Sequence, residues 1–151
     1  MMKQGYNAQG IDLSEGLLAE AKKLHPEVPT QLMSLTEMKF SPGTFDGIWT
    51  NATLLHIERN DVPQILKDFH TFLKPNGALF VRTKEGKGEG SQPVPFDPTL
   101  TRWFTFYTNE ELTKLIEDAG FQVLDSYTFN SKQRFTNSRD QEWVAIFAKK
   151  V

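Results

Sequence analysis

Asp12 is the residue whose type and position most directly indicate a ligand-binding function. Residues 6–14 have the pattern of a short apolar strand, an acidic tip and a helix cap. Nucleotide-binding α/β folds place a carboxylate at such a strand end, where it hydrogen-bonds the two hydroxyls of a ribose. The alternative is that Asp12 only stabilises the positive N-terminus of the following helix.

The glycine-rich turn that normally accompanies such an acid lies about 20 residues before it. Only eleven residues precede Asp12, so that turn cannot fit, and we expect the chain to begin inside a cofactor site. A glycine-rich run at residues 85–90 follows a strand, but a cofactor-cradling loop must open a helix. Pro93, Pro95 and Pro98 exclude a helix there. We therefore expect residues 85–100 to form a long, flexible lid loop on the substrate side.

Composition restricts the classes of function. The chain has 151 residues, 38% of them hydrophobic, which suits one globular domain. A formal net charge of −2 shows no excess of positive charge that would favour binding to nucleic acid or an anionic membrane. The absence of cysteine excludes disulfides and thiolate metal sites, and the three histidines show no metal-ligand spacing. No apolar run could span a bilayer or serve as a signal peptide, so we expect a soluble, cytoplasmic protein.

The elements that must position Asp12 follow from hydrophobic periodicity. A helix is predicted over residues 15–25, with an inward-facing stripe of Leu17, Ala21 and Leu24. Further helices are predicted over 61–73 and 108–119, and strands over 30–33, 45–51, 78–81, 121–124 and 143–147. This order predicts an open α/β sheet wrapped by helices. The segment before the last strand is too short for a crossover helix, so we expect that strand to be antiparallel to its neighbours.

Four motifs follow one another along the chain. They are residues 10–14 (Gly-Ile-Asp-Leu-Ser), residues 45–56, which end in Leu-His, residues 73–79 (Leu-Lys-Pro-Asn-Gly-Ala-Leu) and residues 111–121. In this order they resemble the second-strand motif, the fourth-strand motif, the signature before strand five and the helix before strand six of class I S-adenosylmethionine-dependent methyltransferases. The resemblance covers residues 5–149. It implies a Rossmann-like sheet and a single but incomplete methyltransferase domain over residues 1–151.

The resemblance also implies an activity. S-adenosylmethionine would be the cofactor, and residues 103–108 are similar to a subgroup whose substrates are small molecules or unassigned. The family's first strand and its Gly-x-Gly loop are absent from these residues, so we expect weak or no activity from this chain. Two alternatives remain open: a non-catalytic binding or assembly module that keeps the fold, and a nicotinamide-dependent enzyme that uses Asp12 on the ribose.

Cofactor contacts can be carried over residue by residue. By resemblance, Asp12 would accept hydrogen bonds from the ribose hydroxyls, and Leu13 would pack under the adenine. Ser34 stands where many relatives carry an acid that contacts the adenine amino group, so Ser34 and Leu35 would offer only backbone groups. Asn51 would hold the methionine end of the cofactor or line the catalytic cleft, with a turn asparagine as the alternative.

Candidates on the acceptor side are fewer. His56 could be a base or a substrate contact, or a packing residue. Lys84 and Tyr107 could face the substrate, with solvation or packing as the alternative for both. Methyl transfer from a sulfonium needs little acid–base help when the acceptor is nucleophilic, so positioning can supply much of the rate.

The missing first strand has a structural consequence. In the family sheet that strand is central, between the second and fourth strands. Its loss would leave each of these two strands with one edge that has no hydrogen-bonded partner. We expect one of three outcomes: direct pairing of the two flanking strands, a homo-oligomer or swapped dimer that fills the gap, or completion by another polypeptide.

Overall fold

The computed structural model describes residues 4–94, 97–135 and 138–151. The chain divides into two compact units, Met1–Lys39 and Phe40–Val151, each described by itself below. The first unit contains strand β1 (Gly10–Asp12), helix α1 (Glu15–Leu24), strand β2 (Thr30–Leu32) and a 3-10 turn at Leu35–Glu37. β1 and β2 pair in parallel. The prediction of a strand, a capped helix and a strand is confirmed here.

Helix α1 begins where the sequence predicts. The Ser14 side chain accepts a hydrogen bond from the Leu17 N–H at 3.2 Å, which satisfies one of the free donors at the helix start. The predicted inward stripe is wrong, because Leu17 and Leu24 are 62% and 73% exposed. Only two strands of three residues each are available in this unit for α1 to pack against, and they bury none of its residues.

The second unit contains the remaining elements. In chain order they are β3 (Phe45–Asn51), a 3-10 turn (Leu54–His56), α2 (Val62–Phe72), β4 (Leu73–Lys84), β5 (Glu89–Val94), β6 (Asp97–Thr105), α3 (Asn109–Asp118), β7 (Phe121–Asn130), α4 (Ser131–Arg134) and β8 (Glu142–Lys150). Four of the strands form a sheet in the order β3-β4-β8-β7. β3 and β4 are parallel, and β8 is antiparallel to both of its neighbours, which confirms the expected antiparallel last strand.

One face of this sheet carries the core. On β4, Leu79, Val81 and Thr83 are at most 1% exposed, and their partners on β8 are Ala148, Ile146 and Val144. Helices α2 and α3 contact these strands and bury their own apolar stripes. The opposite face carries aromatic side chains at Trp49, Phe80 and Phe147, of which Trp49 is 55% exposed.

Each unit pairs its own strands. Within the described residues of the first unit β1 pairs with β2, and within those of the second unit β3 pairs with β4, so that β3 forms one edge of its four-stranded sheet. Three outcomes were expected for the missing strand: direct pairing of the flanking strands, a homo-oligomer or swapped dimer, and completion by another polypeptide. All three stay predictions.

The prediction of a long loop over residues 85–100 is also wrong. Most of this segment belongs to an antiparallel pair, β5 with β6, in which Glu89 pairs with Thr105 and Pro93 with Thr101. Proline is tolerated because each strand of a two-stranded ribbon has one edge that needs no N–H donor. Pro95 and Phe96 lie outside the described residues. The role of this segment as a lid stays a prediction.

No helix among the described residues is long and apolar enough to cross a membrane.

Candidate functional site

Asp12 ends β1 at its carboxyl end, as predicted. Its Oδ1 accepts a hydrogen bond from the Ser14 N–H at 2.8 Å, so the carboxylate does support the start of α1. Its backbone carbonyl accepts from the Met33 N–H at 3.1 Å, which ties it to the chain leaving β2. Among the described residues nothing donates to the Asp12 Oδ2, which therefore remains available as an acceptor.

The other cofactor candidates of the first unit lie near the same edge. Because β1 and β2 are parallel, Leu13 and Ser34 both follow carboxyl strand ends, where open α/β sheets bind ligands. The Leu13 side chain is 66% exposed, which leaves an apolar surface beside Asp12. Ser34 accepts from the Thr36 N–H at 3.1 Å and thereby caps the short turn that contains Leu35. The Ser34 hydroxyl is thus engaged locally.

Asn51 ends β3 in the second unit. Its side chain is exposed and makes no hydrogen bond within the described part of the chain. The next residue, Ala52, has a φ of 58°, a left-handed conformation that costs a non-glycine residue about 1 kcal/mol or more. The Ala52 N–H donates to the Arg82 carbonyl at 2.9 Å, which holds this turn against β4. Strained turns of this kind are common at ligand-binding sites.

His56 is held by the β5–β6 ribbon. Its Nδ1 lies 2.8 Å from the Trp103 carbonyl oxygen, and its ring lies 5.0 Å from that of Phe104. A carbonyl can only accept, so Nδ1 carries the proton and Nε2 is an acceptor in the neutral ring. The ring is oriented by a backbone group, which suits a positioned contact as well as a packing residue.

Lys84 ends β4, and its ammonium lies over an aromatic surface. Nζ is 3.9 Å from the centre of the Phe104 ring and 5.9 Å from that of Phe106. Burial lowers the pKa of Lys84, and the positive charge of Arg139 lowers it further. No carboxylate within the described ranges forms an ion pair with Lys84. Its charge is therefore balanced only by ring faces.

Tyr107 is fully buried. Its side chain is 0% exposed, and its hydroxyl has no hydrogen-bond partner among the described residues. Burial raises the pKa of Tyr107 to about 12, although the Arg59 guanidinium, 4.5 Å from the ring centre, acts in the opposite direction. This arrangement fits the packing alternative better than a surface contact with substrate.

Arg59 is a structural residue that the sequence did not reveal. Its backbone N–H donates to Glu89 Oε2 at 2.8 Å, and its Nη2 donates to the Phe106 carbonyl at 2.5 Å. Thr105 adds a hydrogen bond from Oγ1 to the Ile57 carbonyl at 2.6 Å. Together these contacts fasten the β5–β6 ribbon to the segment after β3. They join residues up to 48 positions apart, and no local pattern in the sequence marks them.

Comparison with known families places these features in context. The family model described as "Methyltransferase domain" matches residues 1–81, more than half of the chain. Phosphoethanolamine N-methyltransferase 3 of Arabidopsis thaliana is 26% identical over 117 residues, which cover 75% of this chain and 24% of the plant protein. Demethylmenaquinone methyltransferase of Chlorobaculum parvum is 26% identical over 112 residues, 74% of this chain and 42% of that protein. The chain thus spans a quarter to two fifths of the length of these relatives.

Solved structures share the fold. A structure of an S-adenosylmethionine-dependent methyltransferase from Methanosarcina mazei matches with a TM-score of 0.85 at 16% identity, over 98% of this chain and 84% of that one. The 1,6-didemethyltoxoflavin-N1-methyltransferase of Burkholderia thailandensis, solved with S-adenosylhomocysteine, matches with a TM-score of 0.76 at 21% identity, over 99% of this chain and 64% of that one. The fold is therefore Rossmann-like, and the chain belongs to the class I S-adenosylmethionine-dependent methyltransferase family.

Proposed function

We propose that this chain binds S-adenosylmethionine, the cofactor of its family, and acts in methyl transfer to a small-molecule acceptor. The observation that carries the proposal is the position of Asp12 at the carboxyl end of β1, where one carboxylate oxygen accepts no hydrogen bond from the described residues. A ribose presents two adjacent hydroxyl donors, and a carboxylate at a strand end accepts from both.

The residues around Asp12 fit a nucleoside. The exposed Leu13 side chain offers an apolar surface that an adenine ring would cover, and burial of that surface favours binding. Ser34 already uses its hydroxyl as a cap, so this strand end contributes backbone groups and the apolar Leu35. The contacts of Asp12, Leu13, Ser34 and Leu35 with the cofactor are proposals that rest on these local geometries.

The chemistry demands positioning more than acid–base catalysis. Bound S-adenosylmethionine supplies an electrophilic methyl group on a sulfonium, and the acceptor supplies the electron pair. What the chain must do is hold the acceptor's nucleophilic atom in line with that methyl group. Asn51 and His56, at the carboxyl end of β3 and in the turn that follows, are our candidates on this side, with Lys84 as a contact for an anionic acceptor.

The size of the acceptor is inferred from relatives. The names of the Arabidopsis and Burkholderia proteins specify phosphoethanolamine and 1,6-didemethyltoxoflavin, which are both small molecules. The Lys84 ammonium over Phe104 could contact an anionic group, and His56 Nε2 could accept a proton or a hydrogen bond. These features suit a small polar acceptor.

Calorimetric titration tests the proposal. S-adenosylmethionine and S-adenosylhomocysteine are titrated into the unmodified chain, into Asp12→Asn, and into Glu20→Gln as the control. Asparagine can still accept from the Ser14 N–H, so Asp12→Asn should leave α1 intact and weaken cofactor binding. The loss of a charge-assisted hydrogen bond predicts a decrease in affinity of about 10- to 100-fold. Glu20 is an exposed carboxylate on α1, and its replacement should leave the affinity unchanged.

The outcomes separate the alternatives. Equal affinities for Asp12→Asn and Glu20→Gln would refute the role of Asp12, and no binding at millimolar ligand would favour a non-catalytic module. Saturable binding of NADH in place of S-adenosylmethionine would favour the nicotinamide alternative. Residues 1–151 contain no Gly-x-Gly loop ahead of a helix. The expectation of weak or no activity from this chain therefore stays a prediction, and weak cofactor binding in the same titration would agree with it.

A further inference from the structure

A cavity of about 260 Å³ opens on the face of the four-stranded sheet opposite α2 and α3. Its floor includes Phe80 on β4 and its cross-strand partner Phe147 on β8, together with Ala145, which is paired with Arg82. The volume lies just below the range of about 300–1,000 Å³ that is common for small-molecule sites. The cavity belongs to the second unit alone, and none of the proposed cofactor contacts lines it.

The walls of this cavity are aromatic. Trp49 stacks on Phe80 with ring centres 3.9 Å apart and an interplanar angle of 23°, and Phe80 lies 4.7 Å from Phe147. On the other side, the rings of Phe129 and Phe135 meet edge to face at 6.2 Å. Ring faces and edges arranged in this way offer stacking and apolar contact to a flat ligand.

Two arginines add positive charge to the aromatic surface. The Arg134 guanidinium lies 4.8 Å from the centre of the Phe129 ring and 5.4 Å from that of Tyr127. The Arg82 guanidinium lies 4.9 Å from the Trp143 ring, and its Nε is buried without a hydrogen-bond partner. In the part of the chain that the structure describes, no carboxylate forms an ion pair with either arginine.

Among the described residues, the two positive charges have no ion-pair partner, and the buried Arg82 Nε has no hydrogen-bond acceptor. Burial lowers the pKa of Arg82, the Tyr127 phenol raises it, and the positive charge of Arg134 lowers it. Arginine does not lose its proton in proteins, so both guanidinium groups that line the cavity stay charged. A buried N–H donor without a partner destabilises the folded chain. An anion that contacts both guanidinium groups would satisfy the Arg82 Nε donor and reduce the repulsion between them.

We propose that this cavity binds a small molecule that joins an aromatic ring to an anionic group such as a carboxylate, sulfonate or phosphate. The ring lies among Trp49, Phe80 and Phe147, and the anion contacts Arg82 and Arg134. Guanidinium groups suit this role because their planar donor sets match such oxyanions. The proposal does not depend on methyl transfer, because it uses neither Asp12 nor the acceptor-side residues.

A matched pair of probes tests the proposal. 1-Naphthalenesulfonate and the neutral 1-naphthol share a ring system and differ in the anionic group. Their dissociation constants are measured by ligand-observed NMR with the unmodified chain, Arg134→Gln, Arg134→Lys and Lys132→Gln. Lys132 is exposed, lies on the same short helix as Arg134 and does not line the cavity, so Lys132→Gln makes the same charge change outside the site.

The unmodified chain should bind the sulfonate about tenfold more tightly than 1-naphthol. Arg134→Gln should reduce that preference to near unity, Arg134→Lys should retain part of it, and Lys132→Gln should leave it unchanged. Arg134 is exposed, so these variants should fold, and thermal unfolding checks this. Equal affinities for the two probes in the unmodified chain, or equal losses in Arg134→Gln and Lys132→Gln, would overturn the proposal.

Discussion

Replacement of Tyr107 by phenylalanine is expected to stabilise the protein at neutral pH. The Tyr107 side chain is 0% exposed, and its hydroxyl has no partner among the described residues. A buried hydroxyl without a hydrogen bond costs about 1–3 kcal/mol. Tyr107→Phe removes that hydroxyl and keeps the ring beneath the Arg59 guanidinium. We expect the free energy of unfolding to rise by about 1 kcal/mol, the low end of that range.

The same substitution should remove a dependence of stability on alkaline pH. Burial raises the pKa of Tyr107 from 10.0 to about 12 in the folded chain. Between these values the folded chain keeps a proton that the unfolded chain has lost. Ionisation of Tyr107 therefore leaves the free energy of unfolding unchanged below pH 10 and lowers it as the pH rises toward about 12. The difference between the two pKa values corresponds to about 2–3 kcal/mol.

Urea unfolding followed by tryptophan fluorescence measures both effects. Tyr107→Phe is compared with the unmodified chain and with Tyr127→Phe, which removes a half-buried phenol from the sheet. Relative to the unmodified chain, only Tyr107→Phe should gain stability at neutral pH and show a shallower decline above pH 10. A loss of stability at neutral pH would show that the hydroxyl is hydrogen-bonded and would refute the reasoning. Identical alkaline slopes for the two variants would refute the pKa argument.

Three further predictions concern local structure and assembly. Thr108→Ala removes the acceptor of the Glu111 N–H in the capping box of α3, so it should lower stability by about 1 kcal/mol in urea unfolding; an unchanged midpoint would contradict this. Gly120→Ala should cost more than about 1 kcal/mol, because φ is +97° and the added Cβ would lie 3.0 Å from His70 Nε2; wild-type stability would count against it. If a second copy covers the β3 edge, light scattering should give a mass above the 17.3 kDa of one chain; a strictly monomeric mass would contradict the homo-oligomer.

Hydrophobic spacing and connection lengths in the sequence predicted several helices and strands correctly. The strand Phe45–Asn51 has the predicted bounds, and α2 follows from a stripe of helical period that the structure buries. Helix α3 lies within the predicted range 108–119, and its Thr108–Glu111 capping box has both of its hydrogen bonds. The antiparallel last strand followed from the short connection alone. In each case, packing and local preference favour the same structure.

The errors arise where tertiary pairing overrides a local signal. Three prolines suggested a loop where residues on both sides of them pair as β5 and β6. Leu17 and Leu24 have helical spacing, yet the small first unit leaves them exposed. The Arg59 contacts join segments far apart in the chain, so no spacing rule could find them.

For the same reason, the sequence predicted only some of the functional residues. Asp12 and Asn51 were found because strand ends are visible in the sequence. The buried hydroxyl of Tyr107 depends on neighbours that only the folded chain brings together. The same is true of the charges of Arg82 and Arg134, which have no ion-pair partner among the described residues. That residues 1–151 act as a single domain stays a prediction.

A crystal structure of the chain with S-adenosylhomocysteine would test the central claim most directly. Our account predicts that both ribose hydroxyls lie within hydrogen-bonding distance of the Asp12 carboxylate, with the adenine ring against Leu13. A nucleoside bound elsewhere on the chain, with the Asp12 Oδ2 still unengaged, would contradict it.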